Sequence, residues 1–61
     1  MALDHLPKDP MMLLSFVNTT MRDDGIDLDA LCARFGVKRT SIEETLDKIG
    51  YTYNSMQNRF L

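Results

Sequence analysis

The sequence predicts a small α+β domain, mostly α, in which a three-helix, helix-turn-helix-like core is followed by a C-terminal β-hairpin. Two observations predict this class. Apolar residues recur at helical spacing in three segments bounded by caps and glycines, and the final segment changes to an alternating pattern. We therefore expect one domain of 61 residues, divided into an irregular arm at 1–9, helices at 10–22, 27–35 and 40–49, and a hairpin at 51–61.

The first helix is predicted by residues suited to its two ends. Asp9 can act as the N-cap, and Pro10 suits the first helical position, where its missing N–H leaves no hydrogen bond unmade. Gly25 suits the C-cap. Because the two aspartates just before it oppose the helix dipole, we expect the helix to end near residue 22. Its apolar stripe comprises Leu13, Leu14, Val17 and Met21, widened by Met12 and Phe16.

The second and third helices are predicted by similar signals. Asp27 can cap the second helix, and Gly36 can supply the positive φ of the turn that follows it. Thr40 and Glu43 have the spacing of a capping box at the start of the third helix, and Gly50 suits its end. Their apolar stripes comprise Leu28, Leu31, Cys32 and Phe35 in the second helix, and Ile42, Leu46 and Ile49 in the third.

The last segment has the spacing of a hairpin. Tyr51 and Tyr53 alternate with polar residues, and the polar run SMQN can form a turn, with Asn58 suited to the left-handed conformation. We expect both tyrosines and Phe60 to pack the hairpin on the core rather than to stack on bases. The expected core comprises Leu13, Phe16, Val17, Leu28, Leu31, Cys32, Phe35, Val37, Ile42, Leu46 and Ile49.

Composition excludes several classes of protein. The single cysteine excludes an internal disulfide and a multi-cysteine metal site. No run approaches the ~20 apolar residues of a membrane span, and the longest, MMLL, is too short for a signal peptide. We therefore expect a cytoplasmic protein without membrane contacts. Because Cys32 lies on an apolar stripe and His5, the only histidine, lies in the arm, we also expect no enzymatic activity, no cofactor and no metal.

Three stretches of the chain resemble a known family. They are LPKDPMMLLSFVNTTMRD, LDALCARFGV and IGYTYNSMQNRFL, and together they cover nearly the whole sequence. They resemble a family of small bacterial proteins known as domain of unknown function 4250, with Met21 standing where that family's pattern has Leu. The resemblance implies a complete bacterial single-domain protein. It implies no catalytic residue or binding site.

Binding to nucleic acid is one functional hypothesis. In a helix-turn-helix the second helix of the motif, here the third helix of the chain, faces the DNA. The residues suited to such contacts are Arg34, Lys38, Arg39 and Thr40. Three acidic residues of the same helix, Glu43, Glu44 and Asp47, would face the phosphates, and a net charge of −2 does not attract a polyanion. Nucleic acid is therefore the second choice, and the motif is better explained as scaffold.

The methionines of the first helix support the preferred hypothesis. This helix is apolar around more than half its circumference, and such a surplus is often buried against a partner, to which methionine adapts well. We expect a non-enzymatic interaction module that contacts a protein partner, or a second copy in a homodimer, through Met11, Met12 and Met21. In the alternative interpretation, the arm folds over this surplus with Leu3 and Leu6.

Overall fold

The computed structural model describes residues 6–61, which form three helices followed by two short strands. The expected α+β class, mostly α, is confirmed. The proposed roles of Leu3 and His5 lie outside the described residues. In chain order the elements are α1 (Pro10–Asp24), α2 (Leu28–Phe35), α3 (Arg39–Asp47), β1 (Tyr53–Asn54) and β2 (Arg59–Phe60).

Helix α1 begins as expected and ends two residues later than expected. The Asp9 carboxylate accepts a hydrogen bond of 3.1 Å from the N–H of Met12, and Gly25 closes the helix in the left-handed conformation with φ 65°. The expected end at residue 22 is wrong, because the carboxylates beyond it are compensated. Asp23 accepts from the guanidinium of Arg22, and Asp24 from that of Arg34, so their opposition to the helix dipole is offset.

Helix α2 begins at residue 28, directly after its N-cap. The Asp27 carboxylate accepts from the N–H of Ala30 at 2.8 Å, and Gly36 ends the helix with φ 66°. Both caps match the sequence-based expectation. The Val37 N–H donates to the Cys32 carbonyl at 3.1 Å and closes the end of α2, and the short turn from Gly36 to Lys38 leads into α3.

The expected capping box at the start of α3 is wrong. The helix begins one residue earlier, with Lys38 at the N-cap and no side-chain hydrogen bond there. Glu43 accepts instead from the guanidinium of Arg39 at 3.0 Å, an i,i+4 ion pair that engages the carboxylate elsewhere. The helix also ends at residue 47 rather than 49, and Gly50 follows with φ 84°.

The core lies where the three helices meet the hairpin. Seven of the expected core residues are buried, and Phe16, Phe35, Val37 and Ile49 pack against them from half-buried positions. Two further residues, Met21 and Phe60, are fully buried as well. The buried set comprises Leu13, Val17, Met21, Leu28, Leu31, Cys32, Ile42, Leu46 and Phe60.

The side chain of Asn58 ties the hairpin to the rest of the fold. Strands β1 and β2 are antiparallel, with Tyr53 opposite Phe60. Asn58 adopts the expected left-handed conformation with φ 55°. Its side chain donates to the Ile26 carbonyl at 2.8 Å and accepts from the Tyr53 hydroxyl at 2.6 Å. The bond to Ile26 fixes the hairpin to the segment between α1 and α2, and the bond from Tyr53 stiffens the hairpin itself.

Candidate interaction surfaces

The outer side of α1 exposes two large apolar side chains. Met11 is 55% exposed and Met12 is 62% exposed. Met12 borders a shallow depression of about 480 Å³ on this side of the helix. The depression is lined by Pro7, Met12, Ser15, Phe16, Thr19 and Thr20.

Met21 does not belong to this surface. It is 0% exposed and lies in the core, so its expected place in a partner surface is wrong. The reason is helical spacing: Met21 continues the buried stripe of Leu13 and Val17 at intervals of four residues, whereas Met11 and Met12 lie on the other side. The candidate partner surface therefore retains two of its three methionines.

The described part of the arm covers little of α1. Leu6 packs against the core from a half-buried position, and Pro7 lies at the border of the depression beside Met12. Met12 nevertheless remains mostly exposed. Leu6 therefore covers a part of the core, but not the methionine surface of α1.

The outer side of α1 also carries no charge. The twelve residues from Pro10 to Met21, PMMLLSFVNTTM, include no Asp, Glu, Lys or Arg. Its solvent-exposed positions are held by methionine, serine and threonine. A charge-free exposed side is unusual on a surface helix, where charged residues normally face the solvent.

Two of the four candidate nucleic-acid contacts are engaged by carboxylates. The Arg34 guanidinium pairs with Asp24. Arg39 pairs with Asp29 at 3.1 Å and with Glu43 at 3.0 Å, and the hydrogen bonds that it donates to Glu43 and to Asp29 raise its pKa above the usual value for arginine. The two arginines therefore connect helices within the fold.

The other two candidates, Lys38 and Thr40, lie exposed at the start of α3. Lys38 is the N-cap residue and Thr40 is the second residue of the helix. Of the four positions, Lys38 is thus the exposed cation for which the structure gives no carboxylate partner among residues 6–61. One such lysine provides little attraction for a nucleic-acid backbone.

The acidic residues of α3 face a groove shared with the hairpin. Its volume is about 220 Å³, and β1 borders it opposite the helix. Sequence reasoning considered the acids and the aromatic residues separately and missed the groove, because only the tertiary fold brings them together. The lining comprises Glu43, Glu44 and Asp47 of α3 and Tyr51, Thr52, Tyr53 and Phe60 of the C-terminal segment.

The environment of Cys32 is that of an unreactive thiol. The side chain is 5% exposed. Burial raises its pKa, and the nearby Asp29 carboxylate raises it further, because both disfavour the thiolate. Within residues 6–61 no group of three or more potential metal ligands lies together. In the same part of the chain, no helix is sufficiently long and apolar to cross a membrane.

Comparison with known proteins identifies one relationship. The family model described as domain of unknown function (DUF4250) matches residues 7–60. No curated protein matches the chain, and no solved structure does.

Proposed function

The chain belongs to the DUF4250 family, whose description assigns no activity, and we propose that it is a non-enzymatic interaction protein that binds through the outer side of α1. The observation that carries this proposal is the charge-free exposed side of that helix, with Met11 and Met12 more than half exposed. Methionine suits such a role because its flexible thioether side chain adapts to the shape of a partner.

Burial of this surface supplies a driving force. Complete burial of a large apolar side chain contributes about 1.5–3 kcal/mol, and Met11 and Met12 each have roughly half of their surface left to bury. The neighbouring Ser15 and Thr19 are small, so a second helix can approach closely between the larger side chains. No charged group in this stretch would lose its hydration on contact.

The partner that fits best is a second copy of this chain. The protein has a net charge of −2, so a two-fold contact between acidic surfaces would bring like charges together. The outer side of α1 avoids that repulsion, because it is uncharged over about 18 Å of helix length. An antiparallel α1–α1 contact would place Ser15 and Thr19 near its centre, with Met11 and Met12 towards its ends.

The non-enzymatic part of the proposal rests on the surroundings of the reactive groups. Cys32 is buried with a raised pKa, which leaves little thiolate to act as a nucleophile. The depression beside Met12 and the groove between α3 and the hairpin are both open to solvent. Catalysis usually requires a concave pocket that surrounds most of the substrate.

Sedimentation equilibrium of matched variants tests the proposal. Met12→Lys places a charge on the proposed surface, at the depression that Met12 shares with Ser15 and Thr19. Met56→Lys is the control, since Met56 is 95% exposed at the tip of the hairpin turn. We expect the wild type and Met56→Lys to dimerise at high micromolar concentration and Met12→Lys to remain monomeric.

A strictly monomeric wild type at millimolar concentration would contradict self-association through α1. Equal dimerisation of both variants would show that the dimer uses another surface. Circular dichroism of Met12→Lys should show an unchanged fold, because this side chain is mostly outside the core.

A further inference from the structure

The two edges of the hairpin differ in how their backbone groups are satisfied. Thr52 and Leu61 exchange N–H···O bonds of 3.1 and 3.0 Å, so the next pair, Tyr53 and Phe60, is of the non-hydrogen-bonded kind. In an antiparallel ladder the N–H and C=O of such a pair point away from the partner strand. Both residues therefore direct backbone groups outward, Phe60 from the edge of β2 and Tyr53 from the edge of β1.

The edge of β2 is closed by a side chain of α1. The Phe60 N–H donates to the Asn18 carbonyl oxygen Oδ1 at 2.8 Å, and the Phe60 carbonyl accepts from Asn18 Nδ2 at 3.2 Å. The carboxamide thus pairs with Phe60 as a neighbouring strand would. Among residues 6–61 no side chain does the same for the backbone of Tyr53, so β1 is the open edge of this small sheet.

The open edge borders the groove between α3 and the hairpin. Tyr51, Tyr53 and Phe60 supply its aromatic part, and the rings of Tyr53 and Phe60 lie 5.6 Å apart. An exposed strand edge next to an apolar groove is a surface to which an extended peptide can add as a further strand. The backbone of such a peptide would bond to Tyr53, and its side chains would reach α3.

The charge of the groove selects the kind of peptide. Glu43 is neutralised by Arg39, whose guanidinium also lies 5.1 Å from the centre of the Tyr53 ring. Glu44 and Asp47 are exposed and form no ion pair within the described chain. The groove thus combines an open strand edge and aromatic rings with two unpaired carboxylates, which favours a cationic segment and disfavours a polyanion.

The spacing of the two carboxylates also fits a strand. Glu44 and Asp47 are three residues apart on α3, which places their Cβ atoms about 5–6 Å apart. Alternate side chains of an extended strand lie on one face about 6.6–6.8 Å apart. Two basic residues separated by one residue can therefore reach the two carboxylates, while their aliphatic stems lie over Tyr51.

We propose that the groove between α3 and β1 binds an extended basic segment of a partner protein, which adds to β1 as a third strand and places two alternating Lys or Arg side chains on Glu44 and Asp47. This surface is distinct from the outer side of α1. The inference therefore does not depend on dimerisation, and either proposal can fail alone.

Titration of the full chain with a synthetic peptide tests this inference. The probe is fluorescein-labelled Gly-Thr-Lys-Val-Lys-Thr-Gly, followed by anisotropy and by amide shifts of the ¹⁵N-labelled protein. We expect saturable binding, with the largest shift changes at Thr52, Tyr53 and Asp47. A Glu44→Gln, Asp47→Asn variant should bind at least about fivefold more weakly. The control Asp23→Asn, which removes an exposed carboxylate outside the groove, should bind as the wild type does.

A second arm uses only the wild-type protein and therefore does not depend on the folding of a variant. N-methylation of the central peptide amides removes the donors needed for strand pairing and keeps the charges. The methylated peptide should lose most of the affinity. Equal affinity for both peptides, equal affinity of the double variant, or no shift change at millimolar peptide would overturn the inference. Shift changes at the same groove on addition of duplex DNA would also overturn it, because they would show a polyanion as the occupant.

Discussion

The outer side of α1 carries no charge, whereas the outer sides of α2 and α3 carry ion pairs. On α1, the twelve residues from Pro10 to Met21 are uncharged, and Met11 and Met12 are more than half exposed. On α2 and α3 the basic residues are paired across elements: Arg34 with Asp24 of α1, and Arg39 with Asp29 of α2. Arg34 and Arg39 therefore connect helices of the fold, whereas the outer side of α1 presents an uncharged surface, which is the basis of our proposal that it contacts another molecule.

The largest expected effect on stability comes from one of two methionines in α1, and comparing the two distinguishes the buried side of the helix from its exposed side. Met21→Ala should lower the free energy of unfolding by about 2–5 kcal/mol, because it leaves a cavity in the core. Met12→Ala should change it by no more than about 0.5 kcal/mol at low protein concentration. Urea denaturation of both variants checks this. Similar losses of unfolding free energy in the two variants would mean that Met12 stabilises the fold, which would contradict its proposed role as a partner contact.

Substitution of Asn18 should have the next largest effect on stability, because this uncharged residue of α1 forms hydrogen bonds with the backbone of Phe60. Asn18→Leu preserves volume but leaves the N–H and carbonyl of the buried Phe60 unpaired. We expect a loss of about 2–3 kcal/mol in the free energy of unfolding. The control is Asn54→Ala, which removes one exposed turn bond to the Gln57 N–H. Equal losses in the two variants would contradict the role of Asn18 in closing the edge of β2.

Removal of the ion pairs on α2 and α3 should have smaller effects on the free energy of unfolding. Arg39→Ala should cost about 1 kcal/mol, because it removes contacts with two carboxylates and the Tyr53 ring. Arg34→Ala removes one exposed pair and should cost about 0.5 kcal/mol. Thermal melts at low and high salt check both values, since screening should narrow the difference from the wild type. No loss in either variant would show that these pairs do not stabilise the fold.

The smallest expected effect is in DNA binding, which we expect to be negligible. Fluorescence anisotropy with random duplex DNA at low salt should show no micromolar binding, because Arg34 and Arg39 are engaged and α3 is acidic. Micromolar binding that weakens steeply with salt would restore the nucleic-acid alternative. Its loss in a Lys38→Ala, Arg39→Ala variant would then place the contact at the start of α3.

The sequence predicts those parts of this fold that are decided locally. Asp9, Asp27, Gly25 and Gly36 cap the helices as expected, since each acts on backbone groups within four residues. The expected capping box of Thr40 and Glu43 does not form, because the Arg39 guanidinium binds the Glu43 carboxylate within the same helix. The same guanidinium also binds Asp29 of α2, a contact that only the tertiary fold provides.

Long-range contacts explain what the sequence does not reveal. Asn18 and Phe60 are 42 residues apart, so no local pattern signals the clamp between them. Met21 is buried because it continues the apolar stripe of α1. The sequence could not show this, because apolar residues cover so much of the helix that either side could have faced the core or a partner. The groove likewise depends on the hairpin lying against α3, which periodicity cannot place.

A concentration series of ¹⁵N–¹H spectra shows whether the uncharged side of α1 is a self-association surface, as we propose. From micromolar to millimolar protein, the amide shifts of Met11, Met12, Ser15 and Thr19 should move together along one binding curve. Those of α2 and α3 should stay nearly constant. Shifts that are independent of concentration throughout, or that move at α3 and not at α1, would contradict self-association through α1.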